Sequence, residues 1–122
     1  MPRLTLRSTI GSLLGLLLFA GELDAASTSS RSRESKKLER LLDQAWDAKL
    51  RDRPEYATYI GYPGHNHRWT DLSPTGIERR RVQTREQLRA AQAINRTLLS
   101  PDEQGDLELF VRRLQSQVEG FS

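Results

Sequence analysis

Apolar residues recur at three- and four-residue steps over much of the chain, which is the spacing of one face of an α-helix. The first such stripe predicts a helix from about Glu34 to Arg53. Pro54 ends this helix, because a proline ring disfavours the helical conformation in the residue before it. The stripe contains Leu38, Leu41, Leu42, Ala45, Trp46, Lys49 and Leu50.

A short second helix is predicted over residues 54–60. It has proline in its first turn and an acid, Glu55, directly afterwards, as helix starts prefer. Gly61 is placed to end it in a left-handed conformation. Residues 62–72 (YPGHNHRWTDL) then form a loop, since Pro63-Gly64 is a strong turn signal.

Two further helices follow, each opened by a Ser-Pro pair suited to helix capping. The first begins at Ser73-Pro74 and is predicted to extend to about Leu98. The second begins at Ser100-Pro101, and Glu103 completes a capping-box spacing. Its apolar stripe comprises Leu107, Phe110, Val111, Leu114 and Val118.

The pattern therefore predicts an all-α fold of three amphipathic helices plus one short helix, forming a partial bundle over residues 36–122. No stretch has the period of a strand. The short connection before Ser100 favours an antiparallel hairpin of the last two helices. The stripes must bury one another or pack against protein outside this chain.

The N-terminal 26 residues differ from the rest. Arg3 and Arg7 precede an apolar run at residues 10–20, and small residues follow at Ala25 and Ala26. This order is typical of a secretory signal peptide. A membrane anchor is the alternative, but a spanning helix needs about 20 apolar residues. We therefore expect a signal peptide at 1–26, a flexible polar leader at 27–35, no stable membrane anchor after cleavage, and a periplasmic or secreted location.

Composition narrows the function classes. The chain has 122 residues, no cysteine, and a formal charge of +3 from 19 basic and 16 acidic residues. Thiolate chemistry and disulfides are excluded. The bases are interleaved with acids, and consecutive residues such as Arg79, Arg80 and Arg81 fan around a helix, so we expect a solvated face and no nucleic-acid partner.

Candidate chemistry concentrates in the 62–72 loop. His65 and His67 could chelate a metal with Asp71, although a turn with two solvated imidazoles is the simpler interpretation. Arg68, Trp69 and Asp71 could form a recognition cluster, since arginine stacks on indole and binds carboxylates. Alternatively, Trp69 fills a helix junction and Arg68 pairs with Asp71. No serine has a motif context that suggests an activated nucleophile.

The run from Pro54 to Asn66, together with residues 68–73 (RWTDLS), resembles the N-terminal region of the bacterial family called domain of unknown function 885. The helix containing Trp46, the residues Glu78-Arg79-Arg80, and the later Leu99-Ser100-Pro101 fit the same likeness. It covers roughly residues 35–121.

This resemblance implies a longer, exported, largely helical protein with a His-Glu-x-x-Pro-Gly-His-type segment similar to helical zinc peptidases. That segment is absent from these 122 residues, so no zinc ligand carries over. We expect no catalytic residue, no metal ligand and no cofactor in this chain, with zinc held elsewhere in full-length relatives.

Two functions follow as expectations. In the first, the chain is a truncated N-terminal segment that forms a wall or lid of a peptidase cleft, is inactive alone, and has the missing catalytic part or a peptide substrate as its partner. Its loop residues His65, Arg68, Trp69 and Asp71 would face substrate. In the second, it is a free-standing periplasmic helical binding module. A segment of the first kind should be partly molten alone, and a module should unfold cooperatively.

Overall fold

The computed structural model describes the backbone of residues 3–121 and the side chains of residues 24–121. Within that part the chain is helical and contains no strand, which confirms the predicted all-α fold. The α-helices are α1 (Arg3–Asp52), α2 (Pro54–Tyr59), α3 (Pro74–Gln92) and α4 (Pro101–Glu119), with a 3-10 turn at Arg96–Leu98.

The chain divides into two compact units, Met1–Arg33 and Glu34–Ser122. Residues 27–35, for which a flexible leader is predicted, belong to helix α1. The hydroxyls of Thr28 and Ser30 donate to the carbonyls of Asp24 and Ala26, so the polar side chains follow the helix and do not interrupt it.

The predicted signal peptide lies almost entirely outside the side chains that the structure describes and stays a prediction. Within the part of the chain that is described, no helix combines the length and apolar character needed to cross a bilayer.

The second unit has a core built from the predicted stripes. Side chains of α1, α3, α4 and the α3–α4 connection pack on one another there, and Leu42, Leu88, Phe110 and Val111 pack around them. Burial of a leucine side chain contributes about 1.5–3 kcal/mol. The buried members are Leu38, Leu41, Ala91, Ile94, Leu99, Leu107 and Leu114.

Side-chain caps begin both long helices of the hairpin, as the sequence predicts. The Ser73 hydroxyl accepts from the Gly76 amide at 3.1 Å. The Ser100 hydroxyl accepts from the Glu103 amide, and the Glu103 carboxylate accepts from the Ser100 amide at 2.8 Å, which completes a capping box.

Helix α3 ends at Gln92, earlier than the predicted end near Leu98. The cause is Asn95, whose side-chain oxygen accepts from the amide and the hydroxyl of Thr97 and starts the 3-10 turn. The Asn95 amide donates to the Glu34 carboxylate at 2.8 Å, so this turn is also joined to α1. The Ser35 hydroxyl donates to Glu103 and adds a second link between α1 and the hairpin.

Candidate functional site

The loop between α2 and α3, residues 60–73, holds all four predicted site residues, and its start is a helix-ending turn. The Ile60 amide donates to the Tyr56 carbonyl, and the Tyr62 amide donates to the Ala57 carbonyl at 2.8 Å. Gly61 has a φ of 75°, which a side chain would disfavour, and this confirms the predicted left-handed end of α2.

Glu55 fixes the middle of the loop against α2. Its carboxylate accepts from the Thr70 amide at 2.7 Å and from the Thr70 hydroxyl at 2.5 Å. The hydroxyl and then the amide of Thr70 hold the pKa of Glu55 below its ordinary value, since both bonds favour the charged form. The loop is therefore folded back on the first turn of α2 by an ionised side chain.

Asp71 fixes the end of the loop to α3. Its carboxylate accepts from the Ser73 amide at 3.0 Å, and its carbonyl accepts from the Arg80 guanidinium at 2.7 Å. Hydrogen bonds from the hydroxyl and then the amide of Ser73 lower the pKa of Asp71. Arg79 lies 3.9 Å from the same carboxylate. The Asp71 side chain thus shapes the turn that leads into α3.

His65 and Arg68 form a second contact within the loop. The Arg68 guanidinium lies 2.9 Å from Nδ1 of His65. Because a guanidinium only donates, Nδ1 is the acceptor in this contact. The Arg68 amide also donates to the His65 carbonyl, and the Tyr62 ring lies 6.0 Å from the imidazole. Arg68 is therefore paired with His65, and the alternative pairing of Arg68 with Asp71 does not form.

Trp69 projects from this fixed loop with 83% of its surface exposed, so it does not fill a helix junction. Tyr59 before it and Leu72 after it are 88% and 74% exposed. Large apolar side chains this exposed are available for contact with another molecule. We call Tyr59, Trp69 and Leu72 the loop surface.

The potential metal ligands of the loop are separated by these contacts. His65 is bonded to Arg68, His67 is exposed, and Asp71 faces Ser73 and α3. Among the described residues, no three histidine, cysteine, aspartate or glutamate side chains are grouped so that they could hold a metal ion. The donors present in this part of the chain do not fit a zinc site.

Residues 54–121, from the first residue of α2 to just beyond α4, match the family described as bacterial protein of unknown function (DUF885). The chain belongs to the DUF885 family. The matched residues include the whole 60–73 loop and the α3–α4 hairpin, so the loop surface is part of the DUF885 region. No curated protein and no solved structure matches the chain.

Several residues that shape the site lie outside the predicted set. Glu55, Thr70 and Arg80 hold the loop, and Gly76 lies directly beneath Asp71. Asp71 placed two residues before a Ser-Pro helix start is a recognisable turn signal, because an aspartate side chain accepts from the amide two residues on. The Glu55–Thr70 bonds span 15 residues, and no local pattern signals them.

Proposed function

We propose that this chain is a non-catalytic segment of an exported, zinc-dependent peptidase-like DUF885 protein, in which it forms a wall or lid of the substrate cleft. The observation that carries the proposal is the loop surface. Trp69 and Leu72 stand exposed on a loop whose backbone is held by Glu55 and Arg80, and Tyr59 is exposed at the end of α2 just before that loop. A surface ordered before contact loses little conformational entropy on binding.

The hairpin and α1 provide a platform for this surface. Arg80 of α3 bonds to Asp71, and Arg79 bonds to Asp52 of α1 at 3.3 Å, so adjacent arginines reach the loop and the end of α1. The loop is therefore connected by side-chain contacts to α3, and through the adjacent Arg79 to α1, as well as to α2. Substrate positioning benefits from a support of this kind, because misplacement by about 1 Å can reduce rates strongly.

A peptidase assay of the chain with added Zn²⁺ tests whether this chain is inactive alone. We expect no hydrolysis of a mixed fluorogenic peptide library above a zinc-only control. Zinc-dependent cleavage that a chelator abolishes would contradict the proposal, because the chemistry would then reside in this chain.

A binding assay tests whether this chain packs on the rest of a longer DUF885 protein as a wall or lid. The chain is mixed with a longer DUF885 protein from which the residues equivalent to 54–121 are deleted, and the complex is followed by sedimentation velocity. Trp69→Ser together with Leu72→Ser should weaken the complex, while Leu109→Ser, on the exposed side of α4, should not. Equal weakening by both variants would remove the loop surface from the contact.

The second candidate is a free-standing binding module, and one observation favours it. The second unit has a core formed from part of its own stripes, although Trp46 and Ile77 remain exposed. Folding alone therefore does not separate the two candidates. The module is favoured if the chain is monodisperse, does not bind the longer DUF885 protein that lacks residues equivalent to 54–121, and binds a different protein from a bacterial cell extract.

A further inference from the structure

A groove lies within the second unit, on the surface where α1, α3 and α4 meet. Its volume is about 460 Å³, which is within the range of ligand-binding clefts. Leu42, Phe110, Leu114 and Phe121 contribute its apolar lining. The groove is separate from the loop surface, and none of Tyr59, Trp69 and Leu72 lines it.

The charged lining is strongly one-sided. Lys49, Arg53, Arg80 and Arg113 are its cations, and Asp52 is its one carboxylate among the described residues. Asp52 is already paired with Arg79, which lies outside the lining. In the described part of the chain, none of the four cations forms an ion pair.

Among the described residues, Lys49, Arg53 and Arg113 have no carboxylate partner, whereas Arg80 lies near enough to Asp71 to lower the pKa of that carboxylate. Lys49 Nζ lies 3.8 Å from the centre of the Tyr56 ring and 5.4 Å from that of Trp46. Arg80 donates to a neutral carbonyl. Aromatic faces and carbonyl dipoles orient a cation without neutralising it. The groove therefore combines an apolar floor with more cations than carboxylates.

We infer that this groove binds an acidic amphipathic peptide segment, with apolar side chains on the floor and carboxylates at Lys49, Arg53, Arg80 and Arg113. Three side-chain amides in the lining, from Gln83, Gln87 and Gln117, can bond to a peptide backbone. A fatty acid would supply one carboxylate for four cations and leave those amides unmatched. The charge pattern therefore favours a peptide with several acids.

The inference does not require the loop surface to contact a catalytic part, although Arg80 both lines the groove and donates to the Asp71 carbonyl of the loop. The test uses the full chain and a dansyl-labelled hexapeptide of alternating leucine and glutamate, followed by fluorescence anisotropy. We expect it to bind about tenfold more tightly than the matching leucine–glutamine peptide. The preference should shrink at about 1 M salt, where the Debye length is about 3 Å.

Variants locate the binding on the groove. Arg113→Gln should weaken binding of the acidic peptide about two- to fivefold, as expected for a partly exposed charge pair. Arg113→Lys should keep most of it. Arg112→Gln is the matched control, since Arg112 is adjacent on α4 but paired with Glu108 and outside the lining.

Four results would overturn the inference. Equal affinity for the glutamate and glutamine peptides removes the charge argument, and this comparison needs no variant to fold. Equal losses in Arg113→Gln and Arg112→Gln indicate binding to net charge alone. Displacement of the peptide by oleate at lower concentration than by unlabelled peptide makes a lipid the occupant. Loss of binding as the chain self-associates at higher concentration makes a second copy the occupant.

Discussion

The Glu55 carboxylate and Thr70 are joined by two hydrogen bonds, one to the Thr70 amide at 2.7 Å and one to its hydroxyl at 2.5 Å. This relationship closes the 60–73 loop against α2 and places Trp69 one residue before the fixed point. Trp69 is exposed, and its position depends on the exposed Glu55 carboxylate through the neighbouring Thr70.

Replacement of Glu55 by glutamine should loosen the loop without unfolding the bundle. The neutral amide accepts more weakly and presents an N–H group toward a donor, so the pair of bonds is lost. We expect the Thr70 amide to exchange with solvent faster in Glu55→Gln, as measured by hydrogen–deuterium exchange. Glu86→Gln, which changes an exposed α3 carboxylate, is the control and should leave Thr70 unchanged. Unchanged exchange in both variants would show that Glu55 does not hold the loop.

Acid should destabilise the second unit through three carboxylates. The pKa of Glu55 is lowered by Thr70, that of Asp71 by Ser73, and that of Glu103 by the Ser100 amide and the Ser35 hydroxyl. Each folded pKa lies below the unfolded one, so between the two the unfolded chain binds more protons and stability falls as pH falls.

The pH dependence is measured by urea unfolding at a series of pH values from 7 to below the ordinary pKa of glutamate, which is about 4.3. The contribution of these groups should be intact at neutral pH and lost progressively in acid. The combined variant Glu55→Gln, Asp71→Asn and Glu103→Gln should have a shallower acid slope. An identical slope would mean that other carboxylates carry the acid sensitivity.

Gly76 and Gly105 should respond to alanine in opposite directions. A Cβ on Gly76 would lie 2.5 Å from Cγ of Asp71 and 2.8 Å from its carbonyl oxygen, whereas a Cβ on Gly105 meets nothing within 4 Å. Alanine in a helix gains about 0.5–1 kcal/mol over glycine, but overpacking costs about 1–3 kcal/mol. Urea unfolding should therefore show Gly76→Ala as destabilised and Gly105→Ala as stabilised. Stabilisation by both would mean that Asp71 moves aside without cost.

Leu114 and Leu109 test the core on one helix. Leu114 is 2% exposed and Leu109 is on the exposed side of α4. Leu114→Ala should reduce the free energy of unfolding by about 2–5 kcal/mol, because it removes buried contacts and leaves a cavity. Leu109→Ala should change it by less than about 0.5 kcal/mol. Similar small changes in both would mean that the α4 stripe is not packed in solution.

The helices could be predicted from the sequence because their signals are local. Ser73 and Ser100 each stand beside a proline and cap a helix as expected, and the leucine spacing of α4 defines its buried face. The end of α3 could not be predicted from spacing alone, since apolar residues continue at the three- and four-residue spacing of a helix beyond Gln92. What ends the helix is the Asn95 cap together with a bond to Glu34, which is 61 residues away.

The loop was predictable only in part for the same reason. Its composition marked His65, Arg68, Trp69 and Asp71 as candidates, but their arrangement depends on partners outside the loop. The Asp71 carbonyl accepts a hydrogen bond from Arg80 of α3. The Arg68 guanidinium contacts the His65 ring. Each of these side chains has several possible hydrogen-bond partners. The tertiary fold decides which partner is in reach, and residue type alone does not.

Reconstitution of peptidase activity tests whether this chain forms a wall or lid of the cleft. The longer DUF885 protein lacking residues equivalent to 54–121 is assayed for zinc-dependent peptide hydrolysis, with and without this chain added. We expect the chain to restore hydrolysis and Trp69→Ala to restore much less. The exposed control Leu109→Ala should restore as much as the unaltered chain. Hydrolysis that is the same with and without the chain, or equally restored by Trp69→Ala, would contradict the wall or lid role of the loop surface.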